Sequence, residues 1–292
     1  MTSDCKPYRC RMIARPLRQF LDEQESVDGY PALSEAKEAV LDDPSRVMVV
    51  MEGEEVVALG AVKVRDTPGG TERAAFETVV PRPMRFAEFE DRVVAETVAL
   101  IPNGVPYTAW SRRLSLDAAL ERRGMVVVRS LAEMAVPLPI PTDLDERDSI
   151  PVRSFSERDI DALIQINHAA FGDHPEAGLL DRTELTELMD ESWFDPDGIL
   201  LHESGGEAAG FCWTKVHPNG EGEVYRIGVD PAHRGKGLGR ALTLAGYDYL
   251  SREKRCTSGF LWVDEANGAA VSMYESIGLS IRSRNREFAP SG

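Results

Sequence analysis

The sequence predicts two tandem copies of one mixed α/β (α+β) domain, and three observations carry that reading. At 292 residues the chain is long enough for two compact domains of ordinary size. A segment that is first proline-rich and then charged, Val136 to Asp148, interrupts it near the middle. The same order of strand, helix, glycine stop and strand recurs on either side of that segment, as a duplicated domain requires.

The interrupting segment disfavours both helix and sheet interior and reads as a linker. The halves are therefore expected at 1–140 and 151–292, with 141–150 between them. The first half closes with a strand at Tyr107-Thr108-Ala109-Trp110, a helix through Ala118-Ala119-Leu120, Gly124, and a strand at Met125-Val126-Val127-Val128. The second closes with a strand at Phe260-Leu261-Trp262-Val263, a helix through Ala269 to Tyr274, Gly278, and an extended segment from Leu279. Each glycine stands where a helix C-cap belongs.

Earlier in the second half, Ile160 to Ala170 has a helical pattern, and His174-Pro175-Glu176 reads as a loop. Gly210 to Val216 and Glu223 to Val229 read as two strands of a hairpin, split by a His217-Pro218-Asn219-Gly220 turn. Gly228 within an apolar strand suggests a bulge or a close backbone approach. Either would open the strand and leave amides for a ligand carbonyl. Leu238, Leu242, Ala245 and Tyr249 mark the core face of the next helix, and Ala270, Met273, Tyr274 and Ile277 that of the last.

Between strand and helix lies Asp230-Pro231-Ala232-His233-Arg234-Gly235-Lys236-Gly237-Leu238-Gly239-Arg240. Glycines permit close backbone approach, and a helix N-terminus presents free amides that suit phosphate. Four basic side chains gather here although the net charge is −16. Such a loop on an acidic protein is a candidate pyrophosphate cradle. The first half differs at the matching place. Val79-Val80-Pro81 is followed by Arg82 to Asp91, with no glycine and three carboxylates, and Leu120 falls opposite Tyr274. That half is expected to have a degenerate loop.

Strong acidity argues against a broad nucleic-acid face and against docking on anionic lipid. No apolar run approaches a membrane span, and the start lacks a signal-peptide profile. Cys5, Cys10, Cys212 and Cys256 have no metal-ligand spacing and fit a reducing compartment, so a cytoplasmic monomer without metal is expected. Glu223 reads either as a solvated strand-end carboxylate or as a general base. Tyr274 reads by spacing as core with its hydroxyl at the rim, Lys215 as a surface lysine, and Trp213 and Trp262 as core or rim aromatics.

Arg234-x-x-Gly237-x-Gly239, after an apolar strand and before a helix, resembles the acyl-CoA pyrophosphate loop of the GNAT acetyltransferases. Gly210-Phe211-x-Trp213-Thr214-Lys215-Val216-His217, Glu223-Val224-Tyr225, Gly228-Val229-Asp230-Pro231 and Ala269-Ala270-Val271-x-x-Tyr274 narrow it. Together they resemble the mycothiol acetyltransferase (mycothiol synthase) family, tandem GNAT proteins of about this length.

The resemblance implies acetyl transfer from acetyl-CoA, as acyl-donor co-substrate, to the cysteinyl amine of cysteinyl-glucosaminyl-inositol. It implies that Ile227, Gly228 and Val229 receive the acetyl-pantetheine arm and that Arg234, Gly235, Lys236, Gly237, Leu238, Gly239 and Arg240 hold the pyrophosphate. Asn267, Gly268, Ala269, Ala270, Val271 and Ser272 would flank the CoA. Glu35, Glu176, Lys215, Glu223, Trp262 and Tyr274 would contact the acceptor, with Glu223 as base and Tyr274 as acid. Trp262 stands where the family usually has tyrosine, and Arg82 to Asp91 replaces a second CoA loop that members often retain. Other readings of the same loop are a GNAT enzyme acting on an aminoglycoside, a polyamine or a peptide amine, and a non-catalytic acyl-CoA sensor.

Overall fold

The computed structural model describes residues 14–66, 70–140, 149–171 and 180–292. The chain divides into two compact units, one of Met1–Ser130 with Arg284–Gly292 and one of Leu131–Ser283. The division thus falls ahead of the proline-rich segment, most of whose expected linker (141–148) lies outside the described residues. Val136 and Pro137 still belong to a strand, β5 (Met125–Pro137). Ala132, Met134 and Val136 recur every second residue and are all buried, so strand alternation outweighs the nearby prolines. The last strand, β11 (Ser280–Pro290), begins in the second unit and ends in the first.

The first unit holds α1 (Ala14–Asp28), α2 (Glu35–Glu38), β1 (Val47–Glu52), β2 (Glu55–Asp66), β3 (Glu72–Val79), α3 (Ala87–Val98), β4 (Tyr107–Ser111) and α4 (Leu114–Arg122). Its strands run in the order β1-β2-β3-β4-β11. The β3–β4 pair is parallel and the others are antiparallel. Strand alternation splits its core in two. Val49, Leu59 and Val79 meet Leu17, Phe20 and Leu21 of α1, whereas Met48, Val50 and Ala58 meet Phe89 and Val93 of α3.

The second unit repeats the plan with α5 (Ile160–Phe171), α6 (Arg182–Met189), β6 (Arg153–Ser154), β7 (Ile199–Ser204), β8 (Glu207–Val216), β9 (Gly222–Val229), α7 (Leu238–Arg252), β10 (Ser258–Asp264) and α8 (Gly268–Ser276). Here the order is β5-β10-β9-β8-β7-β6. Phe211 and Trp213 of β8 pack with Leu163 and Ile166 of α5 and Leu185 of α6. Cys212 faces the other way, into a cluster with Leu242, Tyr247 and Leu250 of α7 and Tyr274 of α8. The repeat legible in the sequence is a repeat of structure. Gly124 and Gly278 both stop their helices in the left-handed region, at φ 75° and 98°.

One expectation is corrected. The buried face of α7 is Leu238, Ala241, Leu242, Tyr247 and Leu250. Tyr249 is half-buried and its hydroxyl donates to Asp195 at 2.6 Å. Among the described residues no helix is long and apolar enough to cross a membrane.

Candidate active site

The site is built around β9. Its pairing with β8 shifts register between Trp213 and Thr214, which oppose Arg226 and Val224. Tyr225 is therefore the extra, bulged residue. The expected bulge at Gly228 lies three residues too far along, because Gly228 is in register with Phe211. The glycine there makes room instead: a Cβ would stand 2.6 Å from Cε1 of Phe211 and 3.2 Å from Cγ2 of Ile166.

The bulge has two effects. It turns Tyr225 and Arg226 to one face of the sheet, where Tyr225 packs against Trp213 and Arg226 pairs with Glu184 of α6 at 3.0 Å. It also accompanies an opening of the sheet. Parallel pairing of β9 with β10 covers Gly222–Glu223 against Gly259–Phe260, although β9 continues to Val229 and β10 to Asp264. The N–H of Asp230 bonds to the carbonyl of Ala209 on β8. Successive amides of a strand point to opposite edges. The N–H groups of Ile227 and Val229 therefore point away from β8, into the opening.

At the end of β9 lies the glycine-rich loop of the candidate cradle. Gly235 and Gly237 have φ of 75° and 82°, values that side-chain-bearing residues rarely adopt, and space beside both is open. Gly237 is the N-cap of α7 and supplies no side-chain cap. The amides of Leu238, Gly239 and Arg240 are thus first-turn donors of an uncapped helix. Arg234 donates to the carbonyls of Ala169 and Ala170 at the end of α5, at 3.1 and 3.4 Å. Lys236 reaches the carbonyl of Ala232, and Arg240 the hydroxyl of Ser276 at 2.9 Å. These contacts leave the backbone amides and the helix dipole to face an anion. Asn267 caps α8 by accepting from the N–H of Ala270, with Gly268, Ala269 and Ser272 exposed and Ala270 and Val271 half-buried beyond it.

Three of the candidate acceptor residues, Lys215, Glu223 and Trp262, share the sheet face opposite α7. Glu223 is buried, opposite Lys215 on β8 and Phe260 on β10. Lys215 is buried rather than on the surface. Its ammonium stands 4.1 Å above the Trp193 ring and 5.3 Å from that of Tyr225, so cation–π attraction replaces part of its hydration. Trp262 is half-buried, in register with Glu133 of β5. His217, a turn residue and the end of the family-like strand motif in the sequence, has no role assigned by that reading. Its Nε2 meets Oε2 of Glu223 at 2.7 Å.

Tyr274 lies on the other face, packed against α7. Burial, aided by neighbouring Cys212, pushes its hydroxyl up to about 12, so it is a proton donor at neutral pH. Cys212, which is fully buried with its thiol also pushed up to about 12 by burial, is inert as a nucleophile. Glu35 opens α2 in the first unit. Glu176, like His174, Cys5 and Cys10, lies outside the described residues. Among the described residues no group of three His, Cys, Asp or Glu could hold a metal.

A sheet plan present twice in one chain, whose opened parallel strand pair leads in the second unit into an uncapped, glycine-built helix start, is that of a tandem acetyltransferase of the GNAT class. Residues 161–279 match the acetyltransferase (GNAT) family. The fold is shared with a GCN5-related N-acetyltransferase from Sphaerobacter thermophilus, with a TM-score of 0.68 at 21% identity over 94% of this chain and 90% of that one. A tandem GNAT protein from the clavulanic acid biosynthesis pathway gives 0.66 at 14% identity, over 98% of each chain.

The chain belongs to the mycothiol acetyltransferase family and is an acetyl-transferring enzyme. It is 37% identical to the mycothiol acetyltransferase of Thermobispora bispora over 81% of this chain and 80% of that one. Identity to that of Thermomonospora curvata is 37%, over 87% and 85%. The Kocuria rhizophila enzyme is 31% identical over 96% of both.

Proposed function

We propose that this enzyme moves acetyl from acetyl-CoA to the cysteinyl amine of cysteinyl-glucosaminyl-inositol, the last step of mycothiol biosynthesis, at one site per chain. One observation carries the reading. Glu223 stands where β9 and β10 part, next to outward-pointing amides and upstream of an uncapped helix start.

Leu238 to Arg240 offer their amides to the pyrophosphate, and Ile227 and Val229 donate into the opening, where the thioester carbonyl gains negative charge. Acetyl-CoA supplies the activated acyl group. An ammonium has no lone pair to attack with, so Glu223 takes one proton from it before attack, directly or through one water, and, once that proton has passed on, takes the second from the nitrogen that has bonded the acetyl carbon. Tyr274, on the opposite side of the opening, gives its proton to the departing thiolate and regains one from solvent. Each such acid or base is worth roughly 10²–10⁴-fold, and an oxyanion donor about 10²–10³-fold. Buried carboxylate and lysine on the acceptor face suit a polar, cationic amine, and the protein is expected in the cytoplasm.

Glu223→Gln tests the reading. It keeps shape and hydrogen bonding but cannot take a proton. Turnover of cysteinyl-glucosaminyl-inositol at saturating acetyl-CoA should fall by about 10²-fold or more, with CoA affinity unchanged. Full activity would remove Glu223 from the mechanism, and faster turnover of another amine in a panel would reassign the acceptor.

A further inference from the structure

Glu223 has a difficulty that the acceptor chemistry alone does not solve. Each turnover delivers a proton to a carboxylate whose side chain is only 10% exposed, and the proton must leave before the next acceptor binds. His217 offers a way out. The hairpin turn returns it to Glu223: the N–H of His217 bonds to the carbonyl of Glu221 at 2.9 Å, and the N–H of Gly220 to the carbonyl of His217 at 2.8 Å. The Phe260 ring, 5.2 Å from the imidazole, flanks it from β10. One ring nitrogen meets Glu223 at 2.7 Å, and the side chain is 22% exposed.

We propose that His217 is the proton exit of the acetyl-transfer site, carrying to solvent the proton that Glu223 takes from the acceptor amine. The proposal rests on Glu223 being the base. The amine N–H bond breaks as a Glu223 O–H bond forms. That O–H bond then breaks as an N–H bond forms at Nε2, leaving a carboxylate against an imidazolium. The imidazolium releases one proton to water, and exchange of the remaining ring proton with water frees Nε2 to accept again beside the carboxylate.

The charged and titratable groups around the pair are Lys215 on β8, Glu221 before β9, Glu133 on β5, Arg282 on β11, Tyr247 on α7 and Tyr274 on α8. Arg282 bonds both Glu133 and Glu221 and lies 5.2 Å over Phe260, on which His217 also packs. Lys215 lies over Trp193. His217 is bonded to the Glu223 carboxylate at 2.7 Å, and an imidazole can both accept and release a proton.

The test is turnover of cysteinyl-glucosaminyl-inositol by the full chain, with pH profiles for wild type, His217→Ala, His217→Gln and Glu223→Gln. His217→Ala should lose about 10-fold or more in kcat, below the roughly 10²–10⁴-fold of a group that acts on the substrate itself, while KM for acetyl-CoA holds. Added imidazole should restore much of the loss, and substituted imidazoles should do so in order of their basicity. Gln keeps a hydrogen bond to the carboxylate but relays no proton, so His217→Gln should be as slow as His217→Ala and change the shape of the pH profile. Wild-type turnover in either His217 variant, or a loss in His217→Ala that imidazole leaves unchanged, would overturn the exit. A fully active Glu223→Gln would instead overturn the base assignment itself, and the two failures read differently.

Discussion

The two units carry the same sheet opening and use it in opposite ways. In the second, β9 and β10 part after Glu223 and Phe260, and the amides of Ile227 and Val229 face the gap. In the first, β3 and β4 part after Phe76 and Ala109. There Arg113 donates to the carbonyls of Thr78 and Val80, each at 3.0 Å, and Arg85 also donates to Val80 at 2.8 Å. The Arg113 guanidinium is itself nearly buried and lies 3.6 Å from Glu90, which is fully buried.

Glu90 is one of the three carboxylates of Arg82 to Asp91. It acts less by facing solvent and repelling phosphate than by anchoring the arginine that fills the slot. The comparison teaches that a ligand slot in this fold is an unfilled edge of main chain. An internal ion pair can take that edge over without changing the fold around it. This supports the proposal that the first unit holds no acyl donor.

The largest expected effect tests the cradle on each side. Gly237→Glu places a Cβ and a carboxylate in a left-handed, anion-facing position and should abolish acetyl-CoA binding in calorimetry. Ala87→Gly, at the matching helix start, should leave binding unchanged. Next is the plug. Arg113→Met leaves Glu90 buried without its partner and should cost about 3–5 kcal/mol in urea unfolding, with CoA affinity unaltered. Adding Glu90→Leu should return most of that stability. If Arg113→Met instead creates a second CoA site, the plug has been holding a competent slot shut.

A smaller effect is expected from Tyr274→Phe, a kcat loss of about 10²-fold in a protein that melts near the wild-type temperature. Unfolding with unchanged specific activity would make Tyr274 core alone. Because burial raises the folded-state pKa from 10.0 to about 12, the stability linked to the neutral phenol is intact below pH 10 and lost as pH rises toward 12. Burial also pushes up Tyr30, Tyr247 and Tyr249, so an alkaline absorbance titration should show one late-ionising tyrosine fewer in Tyr274→Phe than in wild type.

The smallest effect is acid-side. Hydrogen bonds from Arg153 hold Asp159 down to about 2, from 3.8. Its contribution is present above pH 4 and lost as pH falls toward 2, so Asp159→Asn should flatten urea stability across that window.

What the sequence disclosed was local. Gly235, Gly237, Gly124 and Gly278 announce left-handed backbone, Asn267 announces a cap, and period and turn residues announce the helices and the hairpin. Each signal is complete within a few residues. What it concealed depends on partners across the sheet. The bulge sits at Tyr225 rather than Gly228 because register against β8 decides it, and no single residue type marks it. Lys215 looked exposed because its cover, Trp193, is distant in sequence. Glu90 and Arg113 are far apart in sequence and meet only once helix and strand have folded. His217 could have been found: a tight turn six residues before a candidate base returns the chain to it, and reading the turn as punctuation missed this.

The most direct test is calorimetric titration of the full chain with acetyl-CoA, wild type beside Gly237→Glu. The expected result is one molecule per wild-type chain and none in the variant. Two sites in wild type, or undiminished binding in Gly237→Glu, would contradict the assignment of the donor site to the second unit alone.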